Sequence, residues 1–431
     1  MKTSGPPAPL RHGAHTALFF LRSVALAVLT GLICGAVSSA FYYAFHAVTT
    51  LRGENPWLLW LMPAAGFVIV LLYRMCDLEK DGGTNLVLTS VRGTPDLTLR
   101  TAPLVFVSTI LTHLTGGSSG REGAILQIGG SLSSSLGRLL RLDRDSMHVI
   151  TLCGMSAGFS ALFGTPLTAA VFAMEVVVVG TMYYSAIVPC VISSLVGFQT
   201  AQFFHVPVTT FDLTEIPALS PLTLAQSLIM GVLFALLSML FCYLMHSAHR
   251  LYDRLLPDKL LRIFAGAAIV IALTFVVWLW NPGTYDYNGA GEGVIHAAIG
   301  GTARPEAFLL KMLFTAITLG AGFKGGEIVP VFFTGATFGC VAAPLLGLPA
   351  SFGAGLGMVS VFCGVTNCPL ASLLLALELF SSDGALSVSS LALFAVSIAV
   401  SYMLSGYYSL YSEQKIKYDK FRPEKINRKA E

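Results

Sequence analysis

Two glycine-rich stretches, far apart in the chain, each set a glutamate between apolar segments, and they restrict the fold more than any other feature. The first, GGSSGREGAILQIGG (Gly116 to Gly130), carries Glu122. The second, GAGFKGGEIVPVFFTG (Gly320 to Gly335), carries Glu327, 205 residues later (327 − 122). Other landmarks recur at nearly the same distance. Residues 154–167 read GMSAGFSALFGTPL and residues 357–370 read GMVSVFCGVTNCPL, with Gly, Met, Phe, Pro and Leu in register. Pro166 precedes Glu175 by nine residues and Pro369 precedes Glu378 by nine, and the two prolines are 203 apart (369 − 166). Two near-equal offsets describe one fold written twice.

The segments between these landmarks are apolar enough to lie in a bilayer. The chain is 11% charged with a mean hydropathy of +0.74, against about 25% charged residues in soluble domains. Segments at 15–48 and 56–74 reach the ~20 residues needed to span. Shorter or broken ones follow at 101–115, 123–140, 147–163, 165–179 and 184–204. After a polar stretch, long segments return at 221–245 and 261–280, then short ones near 307–320, 328–348, 352–366, 369–380 and 386–405. The reading is an all-α polytopic membrane protein. Its divisions are a tail at 1–14, repeats at 15–205 and 221–406, a linker at 206–220, and a C-terminal segment at 407–431 with no room for an added soluble domain.

Orientation follows from Lys and Arg in the short loops. They cluster at Arg138–Arg144, at Arg250–Arg262 and in the C-terminal segment, more weakly at Arg74–Lys80 and the N-terminus. The linker has Asp212 and Glu215 but no Lys or Arg. Both termini are therefore expected in the cytoplasm and the linker outside, which inverts the second repeat. Inverted repeats with Gly- and Pro-broken helices point to a transporter whose site lies at the repeat interface near mid-membrane. Polar, basic residues from Met1 to His15 run straight into the first apolar stretch, unlike a cleavable leader. A net charge of +3, scattered, does not suggest nucleic acid. Cys34, Cys76, Cys153, Cys190, Cys242, Cys340, Cys363 and Cys368 sit singly in apolar segments and read as buried free thiols. No metal or cofactor is expected.

Glu122 is the leading candidate. A charge at mid-membrane costs about 2.5–3.5 kcal/mol or more, so an ionisable group there is functional by default. A helix starting at a glycine-rich break aims free N–H groups and its positive dipole end at one point, which is an anion site. Glu122 is an anion tethered beside it. Ionised, it competes with a permeant anion; protonated, it withdraws, which couples anion movement to a proton. GGEIVP (Gly325–Pro330) presents the N–H groups of Glu327, Ile328 and Val329, able to replace an anion's hydration. Glu327 itself either handles protons or stabilises a helix start. Lys324 pairs with it or draws anions to a vestibule. In DGGTNLVL (Asp81–Leu88), Thr84 and Asn85 offer donors, though a turn with an N-cap explains them equally. Tyr407, Tyr408 and Tyr411 fit an interfacial aromatic belt. Glu175 and Glu378 either hydrogen-bond a loop or carry protons. Ser118 or Ser119 with His113 or His148 allows an intramembrane serine protease, which explains neither Glu122 nor the duplication. A non-transporting scaffold, tolerant of Glu122→Gln, is the third class. GGSSGREG lacks the ending of a phosphate-binding loop.

Taken together these motifs resemble the CLC family of anion channels and transporters, from about residue 15 to 416. GREGA (Gly120–Ala124) is similar to the family's GREGP, which implies that Glu122 is the external gate. GGEIVP is similar to GxFxP, whose amides hold the central anion, here at Glu327 and Ile328; Val329 beside them and Gly123 beside Glu122 are expected to bind the anion as well. GTPLTAAVFAME and NCPLASLLLALE resemble the paired helix starts. LYSEQKI (Leu410–Ile416) resembles the final motif whose tyrosine hydroxyl contacts the anion, which raises Tyr411 above the belt reading. The resemblance implies a homodimer with one pore per subunit. Departures fall at Thr84 for the usual serine, Val87 and Ala124 for prolines, Ile328 for Phe, and Val176 where exchangers commonly carry an inner glutamate. GGxNL with GGEIVP is similar to the CLC-F branch, bacterial fluoride–proton antiporters without that glutamate. The expectation is a fluoride/proton antiporter of the bacterial inner membrane that confers fluoride resistance; a chloride/proton exchanger or chloride channel is the alternative.

Overall fold

The structure, a computed structural model, describes residues 8–79, 82–93, 97–380, 387–422 and 424–429, with side chains from Phe20 onward except at 426–428. Lys80, Asp81 and residues 1–7 of the expected tail lie outside the described residues. Among the described residues, sixteen α-helices fall into two runs of eight. The first run is α1 (Ala8–Glu54), α2 (Met62–Met75), α3 (Thr84–Val91), α4 (Thr101–Leu114), α5 (Glu122–Leu139), α6 (Arg144–Phe163), α7 (Pro166–Glu175) and α8 (Ile187–Phe203). The second is α9 (Pro221–Leu255), α10 (Lys259–Trp280), α11 (Glu292–Ile299), α12 (Ala307–Gly320), α13 (Ile328–Ala342), α14 (Ala350–Thr366), α15 (Pro369–Phe380) and α16 (Val388–Leu404). The runs match in length where it is most diagnostic: α3 and α11 have 8 residues each, α4 and α12 have 14, and α8 and α16 have 17. Among the described residues seven helical segments are long and apolar enough to cross a membrane; α4, α7, α12 and α14 to α16 are shorter apolar helices.

Local chemistry repeats with the helices. α6 ends on Gly164 in the left-handed region (φ 75°, ψ 24°), and α14 ends on Asn367 at φ 59°, ψ 35°. Gly and Asn are the residues that tolerate this cap. Pro166 and Pro369 then open α7 and α15, where a missing N–H does no harm. Glu175, closing α7, accepts from the N–H groups of Leu370 and Ala371 at 3.2 and 2.9 Å. Glu378 of α15 returns the arrangement to Leu167 and Thr168 at 2.9 and 2.8 Å. Each repeat thus caps a helix of the other.

The repeats also meet through backbone. Gly120 and Gly326 exchange two N–H to carbonyl hydrogen bonds of 2.6 Å in an antiparallel bridge. Chain directions oppose at that point, as a two-fold axis between inverted copies requires. Within each repeat, glycines let backbones touch. A Cβ on Gly129 of α5 would strike the Gly154 carbonyl of α6, and one on Gly335 of α13 would strike that of Gly357 in α14. Such close approach is how helices associate where lipid removes the hydrophobic drive. Gly335→Val is therefore expected to destabilise the protein by about 1–3 kcal/mol through overpacking, measured as a lower unfolding temperature in detergent micelles.

Several sequence expectations change. The segment read as 221–245 continues to Leu255, and α1 runs on to Glu54. The apolar stretch 165–179 stops being helical at Glu175, and Val178–Val179 forms a short strand, β1. DGGTNLVL holds no side-chain cap: Gly83 is the N-cap (φ 62°) and the eight-residue α3 begins at Thr84. α11 was not foreseen. The C-terminal segment is not a separate appendage. Its strand β2 (Lys415–Tyr418) pairs parallel with β1 and antiparallel with β3 (Lys425–Lys429). Leu410, Tyr411, Gln414 and Ile416 are buried.

The two faces of the protein differ in charge. Lys259 and Arg74 both pair with Glu79, at 3.5 and 3.4 Å, and Arg92 pairs with Glu413 at 3.4 Å. These ties gather the basic loops and the C-terminal segment on one face. The linker packs elsewhere: the N–H groups of Thr209 and Phe211 donate to Phe163 and Leu379, and the Phe211 ring lies 4.7 Å from His296 of α11.

Candidate functional site

Three helices start at one place. Thr84 opens α3, Glu122 opens α5, and Glu327 is the N-cap of α13. Each start leaves N–H groups without helical partners. The Gly120–Gly326 bridge brings the α5 and α13 starts together, and their backbones lie too close for a side chain on Gly326. A methyl on Gly326 would lie 2.6 Å from the Gly123 N and 2.9 Å from the Glu122 N. One on Gly123 would lie 3.0 Å from Thr84 Oγ1, which sets α3 against α5. The glycines are required by proximity.

Glu122 is fully buried. Its Oε2 accepts from the Arg121 N–H at 3.0 Å, so the carboxylate folds back over the start of its own helix. Its Oε1 has no hydrogen-bond partner among the described residues, and the nearest charge is Arg121 Nε at 3.6 Å. A buried carboxylate oxygen left in that state is a costly arrangement that stability alone does not explain. The same atoms crowd Gly120: a methyl there would meet Glu122 Oε2 at 2.5 Å and Val329 Cβ at 3.1 Å.

A cavity of about 950 Å³ opens toward this point from the basic face. His246, His249, Arg250, Lys259 and Arg262 line its outer part. Thr84, Asn85, Gln127, Lys324, Glu327 and Tyr411 line it too, so five residues expected from sequence share one wall. Gly123, Ile328 and Val329 are buried and do not line it. Neither does Glu122. Its helix start nonetheless adjoins lining residues, since Gly123 meets Thr84 and Gly326, next to Glu327, meets the Glu122 N.

Individual expectations divide. Tyr411 is buried on the cavity wall, and Tyr408 lines the same cavity, so neither belongs to an interfacial belt. Asn85 Oδ1 accepts from the Glu413 N–H at 3.1 Å, a bond that uses the oxygen and not the N–H donors of the amide. Lys324 lies on the wall with Nζ 4.4 Å from the Tyr73 ring centroid. Val176 is buried, and its carbonyl accepts from Gln414 Nε2 at 2.8 Å. Ser119 does meet His113, Oγ to Nε2 at 3.1 Å, and Ser118 meets Thr315 at 3.0 Å. All are buried and none lines the cavity, so these bonds pin the break between α4 and α5.

Two residues escaped sequence reasoning. Gln127 lines the cavity with Oε1 unpartnered while Nε2 donates to the Gly123 carbonyl at 3.2 Å. Its signal was a polar residue one and a half turns after Glu122. Glu292 opens α11 within GAGEGV, a further glycine-rich break 208 residues after Thr84 (292 − 84).

The voltage gated chloride channel family matches the chain across residues 65–405. The chain belongs to the CLC family. The "Chloride/fluoride channel protein" of Pseudomonas syringae pv. tomato is 36% identical to this CLC protein over 416 residues, 95% of this chain and 90% of the relative. A solved structure described as a CLC-type fluoride/proton antiporter superposes with a TM-score of 0.86 at 30% identity, covering 92% of this chain and 98% of the other. A slow cyanobacterial Cl⁻/H⁺ antiporter, 19% identical, has a TM-score of 0.76 over 89% of this chain and 94% of its own, and shares the fold. The all-α inverted repeat with broken helices is thus a CLC architecture, and the CLC family is one of membrane transporters and channels.

Proposed function

We propose that this CLC protein exports fluoride in exchange for protons, with Glu122 as both gate and proton carrier. One observation carries the reading: a buried carboxylate folded onto a helix start that adjoins Thr84 and Gly326 beside a cavity lined by His246, His249, Arg250, Lys259 and Arg262. The basic lining concentrates anions by its field. Thr84, Tyr411 and the amides at Glu327 and Ile328, with Gly123 and Val329 behind them, form a donor-rich end to the path. Fluoride, small and a strong acceptor, suits such a site better than chloride. The likeness to the fluoride/proton antiporter and to the chloride/fluoride channel protein supports the same anion. Glu327, on the wall, and Lys324 shape the field there. The two repeats divide at the 206–220 linker, both termini lie in the cytoplasm, and the protein works as a homodimer in a bacterial inner membrane.

The test is efflux from liposomes holding purified protein and loaded with fluoride or chloride, with external pH recorded. Fluoride efflux is expected to drive proton uptake with little chloride movement. Fast chloride efflux without proton uptake would make it a channel and overturn the proposal.

A further inference from the structure

Arg121 is shared between two carboxylates. Its Nε lies 3.6 Å from Glu122 Oε1, and its Nη2 lies 3.3 Å from Glu292 Oε1. The arginine side chain is 7% exposed, whereas that of Glu292 is 49% exposed. The guanidinium also packs on the rings of Tyr42 and Phe45, 5.5 and 5.3 Å from their centroids. Glu292 belongs to the second repeat and Arg121 to the first, so the pair crosses the repeat interface, and neither residue lines the cavity. The start of α11 is firmly held there. Lys311 Nζ donates to the Gly289 carbonyl at 2.6 Å, and Asn288 Nδ2 donates to the Gly116 carbonyl at 3.0 Å.

A gate that swings away takes its charge with it. Arg121 would then be left as a buried cation facing aromatic rings, and an unpaired buried charge is strongly unfavourable. A surface ion pair contributes little in general, but here one partner is buried and has nowhere else to turn. We propose that Glu292 is a positioning residue of the gate: it keeps Arg121 paired while the Glu122 carboxylate leaves the start of α5. The proposal rests on Glu122 being the gate. The charged and titratable groups around the pair are Glu122 itself, Tyr42 and His46 on α1, and, behind Arg121, His113, Arg52 and Lys311.

Without Glu292 the guanidinium belongs to Glu122 alone and holds that carboxylate charged, so more acid is needed to release it. Fluoride-driven proton uptake into liposomes, followed against external pH, reads this directly. Glu292→Gln is expected to move the midpoint to lower pH by about 1 unit and to slow transport; Glu292→Asp, which keeps the charge, is expected to stay near the wild-type midpoint. Glu292→Lys should displace it further in the same direction, and serves if Glu292→Gln folds poorly. A slower rate with an unchanged midpoint would assign Glu292 a merely structural role and overturn the proposal. Proton coupling that survives in Glu122→Gln would instead sink the gate reading, whatever Glu292 does.

Discussion

Glu122→Gln is expected to abolish proton uptake while leaving the protein folded. The amide matches the carboxylate in shape and still accepts the Arg121 N–H bond now made at 3.0 Å. It cannot carry a proton, and without a charge it competes less strongly with an anion for the helix start. Loss of a proton-transfer group typically costs 10²- to 10⁴-fold, so coupled transport should fall by at least about 100-fold. Fluoride movement that persists is expected to run downhill, unmatched by protons. Arg121 remains paired with Glu292, which is why the fold should survive. The measurement is proton uptake alongside fluoride release from the same vesicles. Coupled exchange at the wild-type ratio would refute the assignment.

The second large effect concerns stability. Glu175 and Glu378 each accept two backbone N–H bonds at the start of a helix in the opposite repeat. Bonds to a charged acceptor contribute roughly 1.5–3 kcal/mol each, and the carboxylate also meets the positive end of the helix dipole. Replacing both residues by Gln removes one acceptor oxygen and the charge at each site. The double variant is expected to lose about 3 kcal/mol or more, seen as a lower unfolding temperature in detergent, while the folded fraction keeps its ratio of fluoride to protons. Normal stability with lost coupling would make these two carboxylates a proton path after all.

Much of this architecture was legible before any coordinates, because duplication leaves matched spacings. Glu122 with Glu327, Pro166 with Pro369 and Glu175 with Glu378 each occur on equivalent helices. The breaks were legible too, since only glycine permits the approach at Gly120 and Gly326. What hid was everything set by pairing across the chain. Asn85 reads as an anion donor, and nothing local shows that its oxygen also accepts the Glu413 N–H, 328 residues later, which fixes how the amide is turned. The apolar run through Val179 looked helical; a four-residue strand near the end of the chain turned its last part into β1. Glu292 sat in plain view at a third glycine break, but its meaning depends on Arg121, and no local pattern joins them.

The last stretch of the wall has a consequence for how the protein is made. Tyr411 and Gln414 come after the sixteen described α-helices, so those helices are made before the ion path exists. A nascent chain that has reached Leu404 has no Tyr411 on the cavity wall. It also has no Gln414 to bind the Val176 and Thr366 carbonyls, and no β2 beside β1. Completion of the path thereby waits on residues made after the helices that frame it. A premature stop or a protease cut just beyond α16 would spare the described helices and still leave the cavity wall without Tyr411.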